Sequence, residues 1–263
     1  MMNKKIGHIL RRVSDFTYVA QAGSAGRALG SADEVRRYEA LRELLDRHRL
    51  TIRTILYVGA NEGQEAELLL RACPKAILHC FEPQTRCQGA LEQLSRRWPG
   101  RVHVHAVALS DAEGSALLTR PASHHQASSL LRPNEEMGQR FPHVTGWSDE
   151  TVVTTRLDAW VADHDITEQI LVKMDVQGAE QLVMAGGEDV FARAGMVIAE
   201  LAVVPTYEGA PLMTTVFDEL TRRGFGYAGE LGQVRDEDYL VVEFDGAFVR
   251  PRSQRRATLT DRV

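Results

Sequence analysis

The stretch that decides the fold of this chain is Ile55-Leu-Tyr-Val-Gly-Ala-Asn-Glu-Gly63. Its first four residues are apolar and predict a buried strand, and the glycines that follow predict a tight turn. The run 64–73 is compatible with a helix, whose first N–H groups would then face the turn. A strand, a glycine turn and a helix in this order are typical of nucleotide-binding proteins with an open α/β sheet.

A second predicted strand, 76–81, ends in Glu82-Pro83, about 20 residues after the turn. An acid at this distance is where such folds hold ribose hydroxyls. A dinucleotide-binding turn would need a third glycine, and Glu62 would repel a pyrophosphate there. The Gly-Lys-Ser/Thr of a P-loop is absent. A cofactor with adenosine but no phosphate, S-adenosylmethionine (SAM), fits better, and a nicotinamide-dependent oxidoreductase remains an alternative.

Composition and charge place the chain among soluble globular proteins. It has 263 residues, 44% of them hydrophobic and 25% charged, with a net charge of −5. That charge argues against a nucleic-acid partner. The basic ends suggest either peripheral membrane contact through the N-terminus or simple solvation, and no apolar run approaches transmembrane length. We expect a cytoplasmic protein in which Cys73, Cys80 and Cys87 stay reduced, with the oligomeric state open.

Strands that alternate with helices predict a doubly wound, mainly parallel sheet with an antiparallel strand from a C-terminal hairpin. We predict an N-terminal helical extension, 1–50, which includes a surface helix over 33–49, and a basic tail, 252–263. The core domain is 51–251. Its third strand is predicted as one run, 101–109. The long polar segment 120–150 is either a lid or disordered.

Candidate catalytic residues lie where the fourth and fifth strands end, because ligands of open α/β sheets bind at that rim. Asp175 follows the fourth strand, Lys173 lies on the same face, and Glu200 ends the fifth strand. Asp175 would orient the acceptor hydroxyl, take its proton or contact the methyl-sulfonium region. A histidine of the long segment is the alternative base, from the set His124, His125 and His143. No spacing of His, Asp and Glu demands a metal.

The ordered segments of the chain resemble the FkbM family of SAM-dependent methyltransferases. They are VGANEG (58–63), FEP (81–83), VALSDAEG (107–114), SSL (128–130), TTRLDAWV (154–161), VKMDVQGAE (172–180), AELAVVPTYEGAP (199–211) and DGAFVRP (245–251). The resemblance implies a Rossmann-like class I methyltransferase with a seven-stranded sheet whose last strand is antiparallel. It also implies methyl transfer from SAM to a hydroxyl of a sugar, glycan or secondary metabolite, with many members active in bacterial polysaccharide assembly.

The resemblance assigns cofactor roles to residues of these segments. Those of the turn would form the methionine-side wall: Gly59, Ala60, Asn61 and Gly63. Glu82 and Pro83 would hold the ribose, Leu109 and Ser110 the adenine, and Asp175 the region of the methyl group.

One residue departs from the family pattern. The residue before VGAN is commonly Asp in the family and often helps to hold the SAM amino group, whereas here it is Tyr57. Glu62 is the expected substitute. A SAM-binding scaffold without catalysis is therefore an alternative to the enzyme. Glu180 is expected to cap its helix or to pair with Lys173.

Overall fold

The computed structural model describes residues 31–166, 169–236 and 238–255. Strands supply most of the core, and β1 is buried along its whole length because helices cover both faces of the sheet. The strands are β1 (Thr54–Val58), β2 (Ile77–Phe81), β3 (Val102–His105), β4 (Ala108–Leu109), β5 (Gly114–Arg120), β6 (Ser148–Thr155), β7 (Ile170–Met174), β8 (Met196–Ala202), β9 (Gly226–Arg235) and β10 (Val241–Val249).

Seven of these strands form the central sheet, in the order β3-β2-β1-β7-β8-β10-β9. The first five are parallel, and β10 runs antiparallel to both β8 and β9. The strand order reverses between β1 and β7, and open α/β sheets bind their ligands at such a switch point. The predicted fold class, a Rossmann-like class I methyltransferase with an antiparallel C-terminal strand, is confirmed.

Helices pack on both faces of the sheet. The first three belong to one apolar core and the last four to the other, as their buried residues show. The helices are α1 (Ala32–Arg47), α2 (Ala66–Ala72), α3 (Thr85–Arg97), α4 (Glu135–Arg140), α5 (Leu157–Ala162), α6 (Glu180–Ala185), α7 (Glu188–Arg193) and α8 (Met213–Arg222).

The predicted strand 101–109 is wrong as one element. The chain leaves the central sheet after His105 and enters a second, three-stranded sheet at Ala108, in the order β4-β6-β5. The N–H of Val107 turns back to the carbonyl of His105 at 2.9 Å, which ends the extended run. The strand β5 was not predicted at all, because 114–120 lacks a clear alternation of apolar and polar residues.

Helix α1 is more than a surface helix. Val35, Leu41 and Leu45 are buried in the core that α2, α3 and the sheet share. Ser31 caps its start by accepting the N–H of Glu34. The helices expected before residue 31 and the tail after 255 lie outside the described residues, so the domain boundaries remain a prediction.

The segment 120–150 forms defined structure over the carboxyl ends of the strands. It contains the 3-10 turn His125–Ala127, helix α4 and the start of β6, around a small apolar cluster that includes Met137 and Tyr207. Elsewhere in the described chain, the three cysteines are buried and unpaired, as expected. No described helix is long and apolar enough to cross a membrane.

Candidate active site

A cavity of about 610 Å³ opens at the carboxyl ends of β1, β2 and β7, beneath the segment 120–150. This volume is ordinary for a small-molecule site. Of the predicted site residues, the cavity is lined by Gly59, Asn61, Glu82, Pro83, Leu109, Asp175 and Glu200. Four others support the wall from behind: Ala60, Gly63, Ser110 and Lys173.

The glycine turn is pressed against the end of β7. Gly59 has φ +76°, and a Cβ on it would lie 1.9 Å from the carbonyl oxygen of Asp175. A Cβ on Gly63 (φ +79°) would meet the Leu94 side chain at 2.8 Å. Only glycine combines this backbone conformation with so close an approach. Asn61 also has positive φ, 47°, which asparagine tolerates better than most residues.

Glu82 ties the glycine turn to the end of β2. Its carboxylate accepts the backbone N–H of Asn61 at 2.8 Å and that of Gln84 at 2.9 Å. Burial raises the pKa of Glu82 although both N–H bonds oppose the shift. Each carboxylate oxygen keeps a second lone pair, so the carboxylate can also accept hydroxyl groups from the cavity.

The predicted adenine end of the cavity is apolar. Val107, Leu109 and Leu118 line it together with Phe81. Ser110 is buried behind this wall, where its hydroxyl contacts Asp111 at 3.1 Å. Leu109 is therefore placed to meet a ligand, whereas Ser110 is not.

A charged network lies under the opposite end of the cavity. Lys173 is 1% exposed, and its Nζ lies 2.9 Å from Glu65, 3.2 Å from Asp245 and 3.8 Å from Asp175. Burial alone would lower the pKa of Lys173, but Asp245 and Glu65 outweigh burial and hold the pKa well above its ordinary value. Lys173 is a permanently charged buried group that fixes its acidic neighbours. The sequence analysis named it as a candidate catalytic residue, but it does not line the cavity.

Tyr57 covers this network. It pairs in register with Lys173 on the neighbouring strand, and the Nζ lies 5.7 Å from its ring centre. Burial, and then Glu65, raise the pKa of Tyr57 well above its ordinary value, so the phenol stays neutral. Tyr57 supplies no carboxylate where the family commonly has Asp. Glu65 and Asp245 are the carboxylates nearest to the Lys173 ammonium group.

Three of the carboxyl groups that line the cavity come from adjacent strands: Asp175 follows β7, Glu200 lies in β8 and Glu243 in β10. The Gln177 side-chain amide donates to Asp175 at 3.2 Å and to Glu200 at 2.6 Å. The hydroxyl of Tyr207 donates to the carbonyl of Ala127 at 2.8 Å and also lies 3.2 Å from the amide oxygen of Gln177. Glu243, from the start of β10, has no hydrogen-bond donor among the residues that the structure describes.

Burial and mutual repulsion raise the pKa of all these acids. The pKa of Asp175 is raised, chiefly by burial, although Lys173 opposes the shift. Burial and then Asp175 raise the pKa of Glu200 well above its ordinary value. The pKa of Glu243 rises to about 7 through burial and Asp175. Acids tuned toward neutral pH are typical of catalytic sites.

The segment 120–150 places histidines at the cavity but no clear base. His124 and His143 line it with their rings 5.9 Å apart, and burial lowers the pKa of His124. His125 instead faces Glu62, with Nε2 3.3 Å from the carboxylate. Glu62 is exposed and does not line the cavity, so it is not placed to replace the family acid as expected.

The sequence analysis did not predict several residues of the site, among them Arg37, Glu65, Gln177, Glu243 and Asp245. Glu65 lies at the start of α2, two residues after the turn, and a helix-start carboxylate was the available signal. The expectation that Glu180 caps its helix or pairs with Lys173 is wrong, because its carboxylate accepts the N–H groups of Val176 and Gly178 in the turn before the helix. No group of three or more His, Cys, Asp or Glu suited to a metal occurs within the described ranges.

Comparison with known proteins identifies the family. The model of the methyltransferase FkbM domain matches residues 58–227, well over half of the chain. The chain belongs to the FkbM methyltransferase family. The chain is also 30% identical over 175 residues to the 2-O-methyltransferase NoeI of Sinorhizobium fredii (strain NBRC 101917 / NGR234), covering 63% of this chain and 70% of that protein. The resemblance predicted from the sequence is confirmed.

Solved methyltransferase structures share only a distant likeness with this chain. Magnesium protoporphyrin IX methyltransferase from Synechocystis PCC 6803 is 11% identical at a TM-score of 0.44, over 82% of this chain and 79% of that one. The 1,6-didemethyltoxoflavin-N1-methyltransferase of Burkholderia thailandensis is 11% identical at 0.43, over 94% and 90%. Both scores are too low to support any inference about this chain.

The cofactor of the FkbM family is SAM, as predicted, and the cavity fits it. The wall carries six carboxyl groups, from Glu34, Glu65, Glu82, Asp175, Glu200 and Glu243. Such a wall favours the positive sulfonium and ammonium groups of SAM and would repel the pyrophosphate of a dinucleotide. Glu82, predicted to hold the ribose, and Leu109, predicted to contact the adenine, both line the cavity, and these roles stay predictions.

Proposed function

We propose that this FkbM-family protein is an O-methyltransferase that transfers a methyl group from SAM to a hydroxyl of a sugar, glycan or secondary metabolite. The observation that carries the proposal is Asp175. Its carboxylate lies at the cavity wall, beside the glycine turn and next to Lys173. The name of the relative NoeI supports an oxygen acceptor.

Asp175 is the best general base of the site. An alcohol is a poor nucleophile, so a base that removes its proton is expected to accelerate transfer by roughly 10²–10⁴-fold. Lys173 keeps the pKa of Asp175 from rising as far as that of Glu200. The positive charge of Lys173 stabilises the carboxylate form of Asp175, whereas Glu200 has only burial and acidic neighbours, which raise its pKa.

The protein supplies alignment and charge. When bound, SAM supplies a methyl group that its sulfonium already activates. Glu82 holds the ribose, the glycine turn forms the methionine-side wall, and Gln177 holds the two acids at the acceptor side. Holding the acceptor oxygen in line with the methyl group contributes several kcal/mol to the lowering of the barrier.

Binding experiments test the cofactor. Isothermal titration of the purified chain should detect S-adenosylhomocysteine (SAH) and SAM but not NAD. Binding of NAD without binding of SAH would contradict the proposal. The proposed SAM site has no pocket for a pyrophosphate, which NAD binding would need.

The first catalytic prediction concerns Asp175→Asn. The variant should keep SAH affinity within about threefold, while methyl transfer falls by about 10²-fold or more because the base is lost. Transfer from radiolabelled SAM to a panel of glycans and small hydroxyl compounds measures the activity. Asp218→Asn, an exposed substitution on α8, is the matched control.

Two outcomes would count against this role of Asp175. Full activity in Asp175→Asn would move the base to Glu200 or to a histidine of the segment 120–150. Binding of SAH by the wild type without transfer to any hydroxyl of the panel would favour a scaffold that has lost catalysis.

A further inference from the structure

Apart from one arginine, the Asp, Glu, Lys and Arg side chains that line the cavity are all acidic. Six carboxyl groups line the cavity, and Arg37 is the single Lys or Arg among the described residues that line it. SAM and SAH both carry an α-carboxylate beside their α-ammonium group. A carboxylate in this wall would be repelled everywhere except beside Arg37.

Arg37 has hydrogen-bonding capacity left for such a group. Its Nη2 donates to Glu65 and, at 2.7 Å, to Asp245. No acceptor among the described residues contacts Nη1, and the buried Nε also has none. A guanidinium carries five N–H donors, so those of Nη1 remain to bind a carboxylate. The side chain is 19% exposed, and it lines the cavity.

The position of Arg37 matches the methionine end of the cavity. Its partner Glu65 starts the helix that follows the glycine turn, and both line the cavity with Gly59 and Asn61. The apolar wall around Leu109 forms the other end of the cavity. Glu82 connects the two ends, since it follows strand β2 and its carboxylate accepts the N–H of Asn61 in the glycine turn. A nucleoside at Leu109 and Glu82 therefore directs the amino-acid part of the cofactor toward Arg37.

We propose that Arg37 binds the α-carboxylate of the cofactor, so that helix α1 is part of the cofactor site. The inference rests on the proposed function, since it requires SAM in this cavity. Helix α1 precedes the residues matched by the family model, 58–227, and the contact would be supplied from outside the matched region. Glu65 and Asp245 then act as positioning residues, which hold the guanidinium by Nη2 and leave Nη1 free.

A comparison of two ligands isolates this contact. The probes are SAH and its decarboxylated analogue, 5′-deoxy-5′-(3-aminopropylthio)adenosine, which keeps the amine and lacks the carboxylate. Isothermal titration should show that the wild type binds SAH about tenfold or more tightly than the analogue. Arg37→Gln should weaken SAH binding by about tenfold and change binding of the analogue by less than about twofold. Arg36→Gln, on the next residue of the same helix and outside the cavity lining, should change neither.

The ligand comparison separates a contact from a structural role. Equal losses for both ligands in Arg37→Gln would mean that Arg37 only supports the fold, and the proposal would be wrong. Equal affinity of the wild type for both ligands would overturn it without any variant, should Arg37→Gln fail to fold. Arg37→Lys keeps a cation for Glu65 and Asp245, and it should retain part of the preference for SAH. If the wild type bound SAH not at all, the proposed function would fail and this inference with it.

Discussion

Gly59 and Asp175 meet where β1 and β7 end, and their contact sets the geometry of the site. The backbone of Gly59 lies so close to the carbonyl of Asp175 that a side chain has no room. The same contact places Asp175 next to the turn that we propose holds the cofactor. Because Gly59 has no side chain, the proposed base Asp175 can lie close to the proposed cofactor site.

Gly59→Ala should therefore destabilise the protein and abolish cofactor binding. The added Cβ would require movement of backbone rather than of a flexible side chain, so we expect a loss of about 2 kcal/mol or more in the free energy of unfolding. Gly89→Ala is the matched control, because nothing lies within 4 Å of its Cβ position on α3. Alanine at that helical position should stabilise by about 0.5–1 kcal/mol. Urea denaturation measures the stability of both variants. A Gly59→Ala protein as stable as the wild type would contradict the close contact between Gly59 and Asp175.

Glu82 supports a second prediction at this scale. Glu82→Gln keeps the shape of the side chain but turns an N–H toward a backbone N–H, so it should lower SAH affinity at least tenfold. Titration calorimetry measures the loss, with the exposed Glu92→Gln on α3 as control. Unchanged affinity in a folded Glu82→Gln protein would place the ribose elsewhere.

Sequence patterns predicted the residues of the turn and the strand-end acids Glu82, Asp175 and Glu200, because motifs keep those residues at fixed spacing. Glu65, Asp245 and Arg37 could not be predicted as a group. They come from α2, β10 and α1, and only the folded sheet brings them to Lys173. Long-range ion pairs leave no periodic signal in a single sequence.

Among the elements, the edge strand β3 and its neighbour β2 carry a cluster of histidines that the cofactor site does not use. His79 and His105 are joined by a 3.1 Å contact between ring nitrogens, and Trp160 packs edge-on against both. Burial, then the neighbouring histidines, lower the pKa of His79 to about 3 and that of His105 to about 4. These rings are neutral in the folded protein at all but very low pH.

The cluster should make stability depend on pH. Unfolded histidine takes up a proton near pH 6.5 and the folded rings do so only near pH 3–4, so the free energy of unfolding falls as the pH drops below about 6.5. His79→Gln should reduce the loss between pH 7.5 and pH 5 by on the order of 1–2 kcal/mol. Urea denaturation at both pH values measures this, with His48→Gln as control. An unchanged pH dependence would show that the cluster is solvated.

The elements themselves were predictable where the pattern is regular and not where the chain changes sheets. Residues 101–109 alternate like one strand, yet the chain bends after His105 because the second sheet gains Ala108 and Leu109 as partners for β6. That partner comes from about 45 residues later in the chain, at Thr154 and Thr155. Pairing with so distant a strand decides the break, and local propensity does not record it.

For the whole molecule, the strand order and both helical layers follow from the alternation of strands and helices. The placement of α1 within the main core does not follow from it, because its apolar residues are spaced like those of any amphipathic helix. The acids of β7, β8 and β10 likewise converge only through the sheet, where Asp245 pairs with Glu200 in register.

This convergence should lower the stability of the cofactor-free protein at high pH. The pKa of Glu243 rises to about 7 in the folded protein, so its contribution is complete below about pH 4.5 and is lost as the pH rises through 7. Glu243→Gln should raise the free energy of unfolding at pH 8 by on the order of 1–3 kcal/mol and leave it unchanged at pH 4.5. Urea denaturation tests it, with exposed Glu230→Gln as control, and no gain at pH 8 would contradict the burial of this charge.

The surplus of carboxyl groups in the cavity also bears on turnover. Methyl transfer removes the sulfonium charge, so the spent cofactor carries one positive charge fewer than the fresh one. A wall with six acids and one guanidinium attracts the fresh cofactor more strongly than the spent one. We therefore expect the electrostatics of the wall to favour replacement of SAH by SAM after each cycle. Methyl transfer itself weakens the attraction of the wall for the cofactor product.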